Sequence, residues 1–172
     1  MRLAPVALRH WNERDTLRQA AIDQSRTTHG AAEAMSACTA YAEMIADAIA
    51  GMPRQEVLSC SGDGYAGSIA AIVRGSWRGR PRSVVRSGGY VAESLEAALW
   101  SIARTSDFKG AVLTAANLGD DADTTAAIAG QLAGALYGRS GIPEEWLVKL
   151  SWRDRIEGVA DQLFMRSLET MH

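Results

Sequence analysis

An all-α fold is predicted by three observations. Apolar residues recur at spacings of three and four along most of the chain. No stretch alternates apolar and polar residues as a half-buried strand would, and nothing repeats at a fixed period. Gly and Pro stand where the apolar periodicity stops, as helix ends require.

The elements follow in order. Asp15 to Ile22 reads as a short helix, interrupted by Thr27-Thr28-His29-Gly30. Ala31 to Ala50 is an Ala-rich helix with Met35, Cys38, Ala42, Ile45 and Ile49 on one stripe. Gly51 ends it and Pro53 opens a further short helix, with another over Asp63 to Val73. From 75 to 89 the periodicity stops, in a loop rich in Gly, Ser and Arg. Order returns at Val91, with Val91, Leu95, Leu99 and Ile102 on one face, and again over Asp107 to Ala116. Residues 117–124 break the pattern with a run of carboxylates. Thr125 to Tyr137 is apolar on all sides and is expected to be buried. Gly138 and Gly141 stop it, and Pro143 with Glu144 and Glu145 starts another helix. Ile156, Val159, Ala160, Leu163, Phe164 and Leu168 form the last apolar stripe.

At 172 residues one domain is expected, 1–172, with the 75–89 loop inside it rather than marking a boundary. A chain of this size buries roughly 70% of its unfolded surface, enough for a real core. Hydrophobic residues make up 47% and charged residues 22%, which excludes a disordered chain. The net charge of −2 excludes a globally basic nucleic-acid binder. No apolar run approaches the roughly 18 residues of a membrane span. Cys38 and Cys60 form no C-x-x-C pair and the first residues carry no apolar leader core, so a reduced, cytoplasmic location is expected.

Chemistry concentrates at Asp120, Asp121 and Asp123, followed by Thr124. Carboxylates this close repel, and a hard divalent cation such as Mg²⁺ or Mn²⁺ offsets that cost with oxygen ligation. Positions 121 and 123 alternate, so both carboxylates and the Thr124 hydroxyl could meet at one ion. The competing reading is helix capping, in which Asp123 or Thr124 accepts free backbone N–H groups. An EF-hand is excluded: counting from Asp121, Ala126 stands where Gly is needed and Leu132 where Glu is needed. The helix that follows carries Gly130, Ala133, Gly134 and Ala135, whose small side chains allow close helix approach. Arg74, Arg78, Arg80, Arg82 and Arg86 surround Trp77, readable as a solvated loop or as a surface that recognises an anionic target.

The run SGGYVAESLEAALWSIARTSDFKGAVLTAANLGDDADTTAAIAGQLAGALYGRSGIPEEW at 87–146 resembles the ADP-ribosylglycohydrolase family, which includes the dinitrogenase reductase-activating glycohydrolases. MRLAPVAL at 1–8 and the Thr28-His29 pair resemble it too. The resemblance implies a compact, orthogonal helical bundle, a binuclear Mg²⁺ or Mn²⁺ centre, and hydrolysis of the bond joining ADP-ribose to a protein side chain or small acceptor. It implies metal ligands at Asp121, Asp123 and Thr124, with Asp121 and Asp123 the candidate catalytic carboxylates. It assigns His29 to ADP-ribose contact and Gly88, Gly89 and Tyr90 to the adenosine side of the cleft. The chemistry is apt. Tyr90 offers a stacking face and paired glycines admit close backbone approach.

The family's N-terminal portion, with an acidic Gly-rich start and a Thr/Ser-Asp-Asp motif, has no counterpart in 1–172. The expected match is therefore to the C-terminal half of the family fold, without its N-terminal helices. Two metals about 3.5–4 Å apart share bridging ligands, and two carboxylates with one hydroxyl hold at most one hydrated ion. The chain alone is expected to be weak or inactive as a hydrolase. It is expected to pair as a homo-oligomer or with a separate N-terminal half. Two alternatives stand beside the enzyme: an inactive ADP-ribose- or nucleotide-binding module, and a regulatory protein-interaction subunit.

Overall fold

A computed structural model describes residues 1–169. All regular structure among them is helical: α1 (Ala4–His10), α2 (Arg14–Arg26), α3 (Ala32–Ile49), α4 (Arg54–Val57), α5 (Ile69–Val73), α6 (Val91–Ala103), α7 (Phe108–Ala116), α8 (Ala122–Tyr137), α9 (Glu144–Leu147) and α10 (Arg153–Glu169). Short 3₁₀ turns lie at 82–84 and 139–141. None of these helices is long and apolar enough to cross a membrane.

Two helices form the interior. In α3 every residue from Thr39 to Ala46 is buried, and α6 is buried continuously from Ala97 to Ile102. Alanine makes this possible: small side chains let neighbours approach α3 on several sides at once. α1, α2, α6 and α8 pack against α3, while α6 and α7 pack against α8. α10 lies across α1. There Trp11 stacks on Phe164 and donates its indole N–H to the buried Ser167 at 2.8 Å.

The structure departs from the sequence expectation in four places. α1 carries no sequence signal of its own, because a single Pro-initiated run of seven residues is too short to display periodicity. Only Ile69–Val73 of the helix expected over 63–73 forms, since Gly64 and Gly67 adopt positive φ. α8 is buried on one side only, at Thr125, Ala129, Leu132 and Ala133. Its Thr124, Ile128 and Gln131 instead face an open cleft. The apolar stripe of α10 is half solvated, with Ile156 and Val159 both 49% exposed.

Arg78, Arg80 and Arg82 of the arginine-rich segment are tied back to the chain, while Arg74 and Arg86 are exposed. Arg78 donates to the Leu58 carbonyl at 2.9 Å and lies over the buried Trp77 ring. Arg80 donates to the Ser76 carbonyl and pairs with Glu96 at 3.0 Å. Arg82 donates to the carbonyls of Val85 and Leu118.

Candidate active site

A cleft of about 600 Å³ opens between α3, α8 and the start of α6. One wall is the α3 stripe Ala34, Ala37, Cys38 and Tyr41, spaced at helical intervals. The facing wall is Thr124, Ile128 and Gln131 of α8. The buried Tyr41 ties the walls together by donating its hydroxyl to the Ile128 carbonyl. Burial pushes the Tyr41 phenol well above its ordinary value, so it remains a donor.

His29 stands exposed at the rim, in the α2–α3 connection. Its backbone is fixed by Ser25: His29 N–H donates to the Ser25 carbonyl at 2.7 Å, and the Ser25 hydroxyl donates to the His29 carbonyl at 2.9 Å. Its Nδ1 lies 2.8 Å from the Thr28 hydroxyl, which accepts from the Arg2 guanidinium at 2.9 Å. A cation, an imidazole and a hydroxyl thus gather at one edge of the cleft.

The acidic loop is stitched onto the segment before α6. Gly119 and Asp120 both take positive φ and turn the chain. The Ser87 hydroxyl donates to the Gly119 carbonyl at 2.7 Å, and the Asp121 N–H donates to the Ser87 carbonyl at 3.0 Å. These bonds set Gly89 against Asp121: a Cβ at Gly89 would lie 3.7 Å from Asp121 Oδ2. Asp121 occupies the N-cap of α8 without spending its side chain on a cap bond. Its carboxylate is half-buried and lines the cleft, as does Thr124.

The fold therefore brings His29, Gly89, Tyr90, Asp121 and Thr124 to one cleft. It leaves two expected residues outside the lining. Gly88 lies behind Gly89, its carbonyl accepting from the Ser94 hydroxyl at 2.8 Å. Asp123 is exposed in the first turn of α8, so the alternation of 121 and 123 is not that of an extended strand. Among the described residues no three His, Cys, Asp or Glu side chains converge. Sequence reasoning missed Tyr41, Gln131 and Arg2. Tyr41 carried a signal, being the lone aromatic on the Ala-rich stripe of α3.

The chain belongs to the class of helical bundles with an acid-flanked cleft at a helix N-terminus. The sequence comparisons narrow this class. The family model described as ADP-ribosylglycohydrolase matches residues 1–171, and the chain belongs to that family. It is 40% identical over 167 residues to an ADP-ribosylarginine hydrolase Tri1 of Pseudomonas putida (strain GB-1), covering 97% of this chain and 45% of that protein. It is 42% identical over 146 residues to the protein of the same description from Serratia proteamaculans (strain 568), covering 85% and 40% respectively. A solved structure titled "ADP-ribosylglycohydrolase-related protein complex" superposes with a TM-score of 0.86 at 38% identity, covering 96% of this chain and 58% of that one. The chain spans about half the length of the curated relatives it matches. Because the family match runs over 1–171, the expected restriction to a C-terminal half has no support.

Proposed function

We propose that the cleft binds ADP-ribose and that the chain takes part in hydrolysing the glycosidic bond between ADP-ribose and a protein side chain. Arginine is the acceptor that the names of two relatives suggest. The observation that carries this reading is the meeting of His29, Gly89, Tyr90, Asp121 and Thr124 at one cleft. The Tyr90 face suits an adenine ring, and Gly89 leaves its backbone open to close approach. Arg2 and His29 suit the diphosphate. These assignments put the anomeric carbon toward Asp121 and Thr124.

The donor chemistry there suits Mg²⁺ or Mn²⁺. Asp121 and Thr124 supply hard oxygens from the lining, with Asp123 beside them in the first turn of α8. Such an ion, when bound, supplies Lewis-acid polarisation and a more acidic bound water. Asp121, the carboxylate that lines the cleft, would orient the attacking water and accept its proton as the bond from the anomeric carbon to the acceptor nitrogen breaks and the protonated acceptor leaves as a neutral guanidine. Three donors fall short of the six that a hard cation takes, so water or a second polypeptide completes the site.

The test uses the purified 172-residue chain. ADP-ribose binding is followed by calorimetry, Mn²⁺ binding by electron paramagnetic resonance, and release of ADP-ribose from ADP-ribosylarginine by chromatography with and without chelator. Saturable binding and slow, chelator-sensitive release are expected. Asp121→Asn is expected to weaken Mn²⁺ binding more than Asp123→Asn. No uptake at millimolar ADP-ribose would overturn the proposal. The exposure of Asp123 favours one second reading, a module that binds without turnover. Chelator-insensitive affinity with no release would select it.

A further inference from the structure

Tyr90 is 53% exposed, yet its ring lines the cleft. An aromatic side chain so little packed keeps one orientation only if something holds its far end. The holder comes from 57 residues away: the Tyr90 hydroxyl donates to Oε2 of Glu33, in the first turn of α3. Glu33 is not part of the cleft lining. Its other oxygen, Oε1, accepts from the Ser68 N–H at 2.6 Å and the Ser68 hydroxyl at 2.9 Å. The carboxylate is therefore immobilised before it meets Tyr90, and the start of α3 favours its negative charge. Gly67 completes the arrangement. It has φ +57°, and a Cβ there would overlap the Glu33 carboxylate, so no side chain fits between the loop and the acid.

We infer that Glu33 is a positioning residue: anchored by Ser68, it fixes the Tyr90 ring as a rigid wall of the cleft, ready to stack on a flat ring of the ligand. The inference rests on the ADP-ribose reading of the cleft and adds a residue that no spacing in the sequence singles out. Releasing Tyr90 returns rotamer freedom that ligand binding must then remove. For one side chain of this kind the expected loss is about 2- to 10-fold in affinity.

The experiment measures two quantities on the full chain, ADP-ribose affinity by calorimetry and the fluorine resonances of 3-fluorotyrosine protein. The chain has four tyrosines, so Tyr90→Phe assigns the signal by its disappearance. Glu33→Ala is expected to move the Tyr90 resonance toward its unfolded position and to weaken binding about 2- to 10-fold. Tyr90→Phe is expected to weaken binding similarly, and the double variant to be no weaker than the worse single variant. Glu33→Gln, which retains an acceptor oxygen, is expected to restore most of the affinity and to keep the chain folded should Glu33→Ala fail. The inference is overturned if Glu33→Ala leaves the Tyr90 resonance and the affinity at wild-type values. It is overturned equally if the two single losses multiply, because Glu33 would then act other than through the Tyr90 hydroxyl. Absence of ADP-ribose binding in the wild type would sink the ligand reading alone. The fluorine resonance then decides the clamp by itself, a shift supporting it and no shift overturning it.

Discussion

Gly89→Ala separates what the fold needs from what the ligand needs. Gly89 does not adopt positive φ, so alanine fits its backbone. The added methyl would meet Asp121 Oδ2 at 3.7 Å, an ordinary van der Waals distance. The folded state thus accommodates alanine without strain, while the unfolded chain loses freedom. That gain is about 0.4–1 kcal/mol, which in a domain of this size raises Tm by about 1–4 °C. The ligand sees the opposite. The methyl occupies the space between Gly89 and Asp121, where both residues line the cleft. A ligand packed against the Gly89 backbone loses at least one close contact and must shift, costing about 1–3 kcal/mol, or roughly 5- to 150-fold in Kd. Calorimetric titration with ADP-ribose and a thermal melt on the same sample decide it. The expected result is a protein more stable and weaker in binding. A variant that binds ADP-ribose as tightly as the wild type refutes the reasoning, because nothing then approaches that backbone.

Three further outcomes bear on core, surface and charge. Leu132→Ala removes a fully buried side chain of α8, against which α3, α6 and α7 pack, and should cost about 2–5 kcal/mol, a fall in Tm of about 4–20 °C. Val159→Ala, 49% exposed on α10, should move Tm by less than about 2 °C. The Glu33 carboxyl is held below its ordinary 4.5 first by the Tyr90 hydroxyl, then by the Ser68 amide and hydroxyl. A depressed acid stabilises the fold above its unfolded value, and that contribution fades as pH falls through the folded value. Tyr90→Phe should therefore move the Glu33 midpoint, read by carbon NMR, up toward 4.5. A midpoint unchanged in Tyr90→Phe would show that the hydroxyl does not reach the acid.

Much of the helical frame was legible because it was punctuated. Gly30 and Gly51 bracket the Ala-rich stretch, and α3 runs Ala32–Ile49 between them. Asp107 precedes α7 and caps it, accepting from the Gly110 N–H at 2.7 Å. Burial was less legible. Apolarity on all sides of α8 marked it as interior, yet Ile128 faces the cleft, and a binding wall has the same composition as a core. The site divided in the same way. Asp121 and Thr124 stand out in the sequence through the carboxylate run, whereas His29, Gly89 and Tyr90 are singled out only by the family resemblance. Glu33 is marked by neither, because its partners Ser68 and Tyr90 are 35 and 57 residues away. No periodicity reports a contact at that range.

The arginine segment shows how part of a composition read as surface charge can serve as scaffolding, here through Arg78, Arg80 and Arg82. Between α5 and α6 the backbone is irregular, so its carbonyls and those of the acidic loop lack helical partners. Guanidinium groups supply donors in a fixed planar fork. Arg82 spends its donors on Leu118 and Val85, Arg78 on Leu58, and Arg80 on Ser76 and Glu96. Leu118 is itself buried and immediately precedes Gly119, whose carbonyl is taken by Ser87. The geometry of Asp121 thus depends on bonds from the 82–87 segment on both sides of the Gly119 turn. An anionic target would have to compete with these intramolecular acceptors for Arg78, Arg80 and Arg82. The segment's first consequence is to hold the acidic loop against the start of α6, where Gly89 and Asp121 line the cleft side by side.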